Sequence, residues 1–173
     1  SDMNKAQRDA AESAINRRLT LIQGPPGTGK THTAVRILEN WAILDTGTVL
    51  AVADSNVAVD NLLEGLLERG VRAVRLGQPV KVRENLRNAT MDARMESHEL
   101  NRDLVEEIER NEKLSRRIKG MRGGKEKGLA HRDLSRGWKE VKRLERQIRD
   151  DILDRAQVQL IQRKKKVIFM LWG

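Results

Sequence analysis

The stretch LIQGPPGTGKTHTAVRIL, residues 21–38, joins a short apolar run to a loop rich in Gly and Pro and then to a helical pattern. The apolar residues at 19–23 predict a short strand. Across residues 31–44, apolar side chains recur at helical spacing, which predicts a helix. Between the two, residues 24–31 fit the pattern G-x-x-x-x-G-K-[ST] without a mismatch. We therefore expect a strand, a phosphate-binding loop and a helix, in that order.

This loop has the chemistry of a triphosphate site. Glycines let the backbone bend so that successive N–H groups surround phosphate oxygens, and the start of a helix adds unpaired amides and the positive end of its dipole. Lys30 can reach the β- and γ-phosphates, and the Thr31 hydroxyl suits Mg²⁺. We predict Lys30 and Thr31 as catalytic residues and Thr31 as a metal ligand. The predicted nucleotide-binding residues here are Gly24, Pro25, Pro26, Gly27, Thr28, Gly29, Lys30, Thr31 and His32. A simple Gly-Pro turn is the alternative interpretation.

The segments around the loop predict an α/β fold. Residues 4–18 carry apolar side chains at helical spacing, and residues 49–53 form a near-continuous apolar run typical of a buried parallel strand. A further helix is predicted over 57–67 and a further strand over 71–76. Strands and helices that alternate in this way favour a parallel sheet.

Small polar residues follow the predicted strand at 49–53. Ser55 and Asn56 stand where that strand ends and the next helix begins. Ligands bind at this edge of a parallel sheet, and hydroxyl and amide groups suit contacts with the backbone of a nucleic-acid strand. Ordinary capping of the helix by Ser55 or Asn56 is an equally good interpretation.

Beyond about residue 80 the composition changes. Roughly half of residues 81–156 are charged, with both signs mixed. Two apolar stripes flank the Gly-rich stretch 120–128, which predicts an antiparallel helical hairpin. The stripes comprise Leu100, Leu104, Ile108, Leu114 and Ile118, and then Leu134, Trp138, Val141, Leu144, Ile148 and Ile152.

The predicted hairpin carries a basic tip. Its residues are Lys113, Arg116, Arg117, Lys119, Arg122, Lys125 and Lys127. The hairpin is interpreted either as a charged spacer or as a prong that touches nucleic acid. After it, residues 167–172 could form another strand.

Composition narrows the class of partner. A net charge of +9 and a pI near 10.2 favour a polyanion such as nucleic acid, whereas 2% aromatic residues leave little scope for base stacking. Without cysteine there are neither disulfides nor thiolate metal sites. No stretch approaches the roughly 20 apolar residues of a membrane span. We expect no membrane partner and an intracellular, cytoplasmic location, with the nucleus as the alternative.

Four motifs carry a family resemblance. N-x-x-Q within NKAQRDA, LTLIQGPPGTGKT, SNVAVDNL and RLGQP occur in that order. Together they resemble the first RecA-like domain of superfamily 1B helicases, the group of the nonsense-mediated-decay helicase, senataxin and the immunoglobulin mu-binding helicase. The resemblance implies the N-terminal part of a RecA-like ATP-binding P-loop domain at 4–80 and a charged helical hairpin insertion at 81–156. We also expect a possible return strand at 157–173, which is atypical for the group.

The resemblance also assigns roles to residues. Gln7 matches the residue that reads the adenine edge, which implies ATP with Mg²⁺ as cofactors; an ordinary surface glutamine is the alternative. Ser55 and Asn56 match the motif that grips single-stranded nucleic acid. Asp54 stands where the group usually has proline, which is a departure from the pattern.

The resemblance implies the ATP-binding fragment of an ATP-dependent RNA or DNA helicase. Hydrolysis in such enzymes also needs an apolar strand that ends in Asp-Glu. Among these 173 residues the acidic pairs 106–107 and 150–151 lie in helical patterns instead. We therefore expect the isolated chain to bind nucleotide weakly at most and not to unwind duplexes. The alternatives are another P-loop ATPase with a coiled-coil prong, of the AAA or chromosome-maintenance type, and a non-catalytic nucleotide-binding module.

Overall fold

The computed structural model describes residues 3–44, 47–77 and 82–162, and the side chains only as far as residue 160. The chain divides into two compact units. One contains the residues up to Ala93 and those from Leu153 onward, and the other runs from Arg94 to Ile152.

A parallel sheet lies in the first unit. Its strands are β1 (Val49–Ala53), β2 (Ala73–Leu76) and β3 (Val158–Gln162). Their order is β1-β3-β2, and Val158 lies opposite both Val49 and Ala73. Val158 and Leu160 are fully buried. The predicted α/β class with a parallel sheet is confirmed, and the middle strand comes from the far end of the described chain.

Three helices accompany this sheet: α1 (Lys5–Asn16), α2 (Lys30–Ile43) and α3 (Asn56–Leu67). They confirm the predicted helices to within two residues at each end. Apolar side chains of α2 and α3 share one core with the three strands, and α1 packs on α2 through Ala11, Ala14 and Ile37. The 3-10 helix Glu84–Ala89 adds Leu86 and Ala89 to the core.

The strand predicted at residues 19–23 is wrong. These residues form neither helix nor strand, and Leu21 is 89% exposed. A groove of about 500 Å³ is lined by this segment and by Val52 and Ala53 of β1. A strand needs a neighbour for its backbone N–H and C=O groups. Within the described ranges β1 pairs only with β3 and is an edge strand of the sheet, and residues 19–23 do not pair with its open side.

Strand β3 falls within the possible return strand predicted at 157–173 but comes earlier than the residues 167–172 expected to form it, and those lie outside the described residues. The signal was the alternation of Val158 and Leu160 with glutamines. The backbone of Gln157 ties the start of β3 to both neighbours: its carbonyl accepts from the Val49 N–H at 3.0 Å, and its N–H donates to the Arg72 carbonyl at 2.8 Å. Its side chain adds a contact with α2, where Nε2 donates to the carbonyl of Ala42 at 3.2 Å.

The second unit is helical. Its main helices are α5 (Asn101–Lys119) and α6 (Lys125–Arg155), preceded by the short α4 (Met91–Glu96). Asn111 faces Gly137, and the His98 Nε2 lies 3.5 Å from Asp151 Oδ2. Going from the first contact to the second, the residue on the α5 side lies 13 positions earlier in the sequence (111 to 98), whereas its partner on α6 lies 14 positions later (137 to 151). The two helices therefore run antiparallel.

Both stripes are buried in part. The fully buried members are Leu104, Ile118, Val141, Leu144, Ile148 and Ile152. Trp138, predicted to lie in the second stripe, is 39% exposed. Its neighbour Gly137 faces α5 instead, where a Cβ atom would lie 1.9 Å from Oδ1 of Asn111.

Even the 31-residue α6 is rich in charge, and no helix in the described part of the chain could cross a membrane.

The Asn111–Gly137 contact generates a test with a matched control in the same helix. Gly137→Ala forces a methyl group into Asn111 and should lower the free energy of unfolding by about 1–3 kcal/mol. Gly128→Ala meets no atom within 4 Å and should raise it by up to about 1 kcal/mol through helix propensity. Denaturant unfolding followed by circular dichroism measures both. The double variant Asn111→Ala/Gly137→Ala should recover most of the loss, and a Gly137→Ala protein as stable as Gly128→Ala would refute the contact.

Candidate functional site

The loop at residues 24–29 precedes α2 and is largely exposed. Gly27 and Gly29 both adopt the left-handed backbone conformation, with φ of 81° and 78°, which favours glycine. Gly29 is also the N-cap of α2, and no side chain caps this helix start. The start of α2 thus lacks a side-chain cap, an arrangement that suits the binding of an anion.

Lys30 folds back over this loop. Its Nζ donates to the carbonyls of Gly24 and Pro25 at 2.7 and 2.8 Å. The Thr28 hydroxyl donates to the same Pro25 carbonyl at 2.8 Å. These contacts hold the ammonium group at the loop, where phosphate oxygens could replace the two neutral acceptors and form stronger, charge-assisted hydrogen bonds.

Gln7 joins α1 to the loop. Its backbone N–H donates to Asn4 Oδ1 at 2.9 Å, and its Oε1 accepts from the Asn4 N–H at 3.0 Å, forming a capping box. Its Nε2 donates to the Thr28 carbonyl at 3.1 Å, and a Cβ atom on Gly29 would lie 2.7 Å from that nitrogen. Gln7 therefore braces the loop and keeps one N–H for another acceptor.

The fit to a magnesium–triphosphate can be judged from the donor set. Lys30 and Thr31 are exposed side by side at the uncapped start of α2, Pro26 is exposed in the loop, and His32 is half-buried in the first helical turn. Hydroxyl oxygen is a hard ligand of the kind Mg²⁺ prefers. No group of three or more His, Asp or Glu side chains that could hold a metal occurs in the described part of the chain. The donor set therefore fits a metal that arrives with phosphate, which the Thr31 hydroxyl could ligate.

Ser55 and Asn56 sit at the start of α3, directly after β1. The Ser55 Oγ accepts from the N–H of Ala58 at 3.1 Å, so this serine caps the helix, as the alternative interpretation had it. The Asn56 Oδ1 accepts from Nη2 of Arg75 at 2.7 Å. Ser55 keeps its hydroxyl hydrogen and Asn56 its Nδ2 as donors, and donors are what a phosphate backbone requires.

Arg75 is the residue that the sequence analysis missed here. It lies on β2, is 1% exposed, and donates from Nε to Oδ1 of Asp60 at 3.0 Å. Asp60, on α3 one turn after Asn56, is 3% exposed. A buried charge is tolerated only with a partner, so Arg75 and Asp60 hold each other and together orient Asn56. The available signal was a lone Arg within an otherwise apolar strand.

The buried ion pair generates the second test. Asp60→Asn leaves the Arg75 charge buried without its counter-charge and should lower the free energy of unfolding by about 3–5 kcal/mol. Glu64→Gln is the matched control on the same helix, because Glu64 pairs with Arg83 at 2.7 Å in an exposed position. It should cost less than about 1 kcal/mol. Urea unfolding of both variants decides: equal losses would mean that the buried pair does not organise α3 and β2.

The sequence profile of one protein family, described as AAA domain, matches residues 2–167 of this chain. Among curated proteins, an uncharacterized ATP-dependent helicase of Methanocaldococcus jannaschii is 36% identical over 107 residues, 60% of this chain and 16% of its own length. The DNA-binding protein SMUBP-2 of Mus musculus is 34% identical over 145 residues, 83% of this chain and 14% of its own.

A third relative matches this chain over a shorter stretch. The regulator of nonsense transcripts 1 homolog of Drosophila melanogaster is 47% identical over 75 residues, 43% of this chain and 6% of its own length. In each of the three, the match with this chain covers about a sixth of the relative or less.

Proposed function

Because this chain belongs to the AAA domain family and to the first domain of the superfamily 1B helicases, we propose that it is the ATP-binding part of a helicase that moves along single-stranded RNA or DNA. One observation carries the proposal. The uncapped start of α2 with Lys30, and the polar residues after β1, belong to the same unit, and Lys30 and Asp54 line one groove. Nucleotide and nucleic-acid strand would thus bind to the same compact unit.

At the nucleotide site, some residues would neutralise charge on the phosphates and others would orient the nucleotide. Lys30 would move its ammonium from the loop carbonyls to the β- and γ-phosphates, and the amides that begin α2 would hold the same oxygens. Thr31 would give its hydroxyl to Mg²⁺, which when bound neutralises charge on the phosphates. The remaining N–H of Gln7 would reach the adenine edge, so that the brace of the loop also selects the base.

At the nucleic-acid end, Ser55 and Asn56 would donate to phosphate or sugar oxygens of one strand. Arg75 occupies the amide oxygen of Asn56 and so fixes which end of the amide faces outward. Such contacts position a strand without reading its sequence. We propose an intracellular, cytoplasmic place of action for the intact protein, with the nucleus as the alternative.

The chain by itself should not turn this binding into movement. Glu106 and Glu107 lie within α5, and Asp150 and Asp151 within α6. None of these carboxylates follows a buried strand, the position from which an acidic pair serves phosphoryl transfer. We therefore propose weak nucleotide binding and no unwinding for these 173 residues alone.

Binding of single-stranded nucleic acid at Asn56 distinguishes a helicase from another class of P-loop ATPase. Asn56→Asp keeps the oxygen that accepts from Arg75 but replaces the outward N–H donor with a carboxylate. It should weaken binding of a labelled single-stranded oligonucleotide about tenfold or more, the equivalent of one charge-assisted hydrogen bond. Fluorescence anisotropy measures this loss, and titration with a fluorescent ATP analogue should show unchanged nucleotide affinity.

Asn61→Asp is the matched control. It makes the same change of charge on the same helix, and Asn61 likewise accepts from an arginine, Nη2 of Arg83 at 2.6 Å. This control should change strand binding far less than Asn56→Asp. Equal effects of the two variants would remove the strand site and favour a P-loop ATPase of another class.

A further inference from the structure

Charge is segregated along α5 and the connection that leads from it into α6. Residues 101–112 contain five acidic and two basic residues, whereas residues 113–127 contain seven basic residues and a single acidic one, Glu126. In residues 101–112, the arginines are neutralised locally: Arg102 pairs with Glu106 at 2.9 Å, and Arg110 with Glu107 at 2.9 Å. The stretch of residues 113–127 is here named the basic end.

Most cations of the basic end are not neutralised. Lys113 and Arg116 pair with glutamates one turn earlier on α5. The other exposed cations form no ion pair with any described residue. They are Arg117, Lys119, Arg122 and Lys125. Four positive charges thus crowd around the short connection between the helices.

Helix stability does not account for this pattern. Cations at the last turn of α5 interact favourably with its dipole, but Lys125 and Lys127 lie in the first turn of α6, where positive charge is unfavourable. The start of α6 also adds the partial positive charge of its own N–H groups. A surface that concentrates positive charge against both mutual repulsion and the helix dipole is suited to a polyanion.

The side chains present indicate which polyanion. Between residues 113 and 143 the only aromatic residue is Trp138. Proteins that hold single strands rely on aromatic side chains to stack the bases, and the basic end has none. A duplex instead presents phosphates at high density and can be bound by Lys and Arg alone, without base contacts.

We propose that the basic end of the α5–α6 pair binds the phosphate backbone of double-stranded nucleic acid, independently of sequence. This surface is distinct from the strand contact at Ser55 and Asn56 and requires no nucleotide. It gives the chain a second nucleic-acid site, which recognises the duplex by charge alone.

The test compares two variants that each remove four positive charges from the same pair of helices. The first replaces Arg117, Lys119, Arg122 and Lys125 by Gln. The control replaces Arg102, Arg110, Arg146 and Arg149, which are exposed on the same two helices outside the basic end, by Gln. Anisotropy of a labelled duplex is recorded over a range of salt concentrations without nucleotide, and circular dichroism confirms that both proteins are folded.

The basic-end variant should lose about tenfold or more in duplex affinity at low salt. Its slope of log K against log[salt] should become shallower by roughly 0.9 for each phosphate that the variant no longer neutralises. The control variant should retain most of the affinity and the original slope. Equal losses in the two variants would overturn the proposal, and so would competition by polyglutamate as effective as that of unlabelled duplex.

The two nucleic-acid sites can fail separately. Asn56→Asp should retain duplex binding while it loses single-strand binding, and the basic-end variant should show the reverse. If the basic-end variant loses single-strand and duplex binding to the same extent, the assignment to double-stranded nucleic acid is wrong, whatever becomes of the proposed strand contact.

Discussion

The pairing of β3 between β1 and β2 is the constraint on which the first unit depends. β1 and β2 do not touch each other in the ladder; each bonds to β3, and Val158 sits opposite both Val49 and Ala73. Gln157 bonds through its backbone to Val49 at the start of β1 and to Arg72 just before β2, at the point where the register of β3 begins. Because β3 follows the whole helical unit in sequence, its pairing with β1 and β2 joins segments of the chain that are separated by residues 94–152. The core formed by α2, α3 and the sheet is thus a long-range structure rather than a local one.

This sheet also brings the functional groups into place. The carboxyl end of a parallel strand is where ligands collect, and Ser55 follows β1 there. Arg75 reaches α3 from β2, so the orientation of Asn56 depends on two strands that are held apart by a third. A buried ion pair is a costly way to stabilise a domain, because both charges give up water. Its value here lies in fixing one amide, with its oxygen turned inward to Arg75 and its N–H donors left for a ligand.

The loop motif and the helices α1 to α3 could be predicted from the sequence, whereas the pairing of the strands could not. The loop at residues 24–31 was predictable because its glycines, lysine and threonine act within eight positions, and α1 to α3 were predictable from their apolar spacing. The strand expected at 19–23 failed because apolar character does not supply a partner for its backbone. The position of β3 within 157–173 and the role of Arg75 could not be predicted, because both depend on contacts far away in sequence. Trp138 was misplaced because heptad spacing does not reveal that Gly137 admits the side chain of Asn111.

A triphosphate bound at the loop would change the exchange rates of the backbone amides there, which hydrogen–deuterium exchange measures directly. With Mg²⁺ and a non-hydrolysable ATP analogue, exchange at residues 27–33 should slow, because the uncapped amides of α2 would gain phosphate acceptors. The strands Val49–Ala53, Ala73–Leu76 and Val158–Gln162 should exchange slowly with or without nucleotide. Lys30→Ala should remove the effect on the loop and leave the strands unchanged. Unaltered exchange at residues 27–33 under saturating nucleotide, in a protein whose strands stay protected, would contradict the assignment of this loop as the nucleotide site.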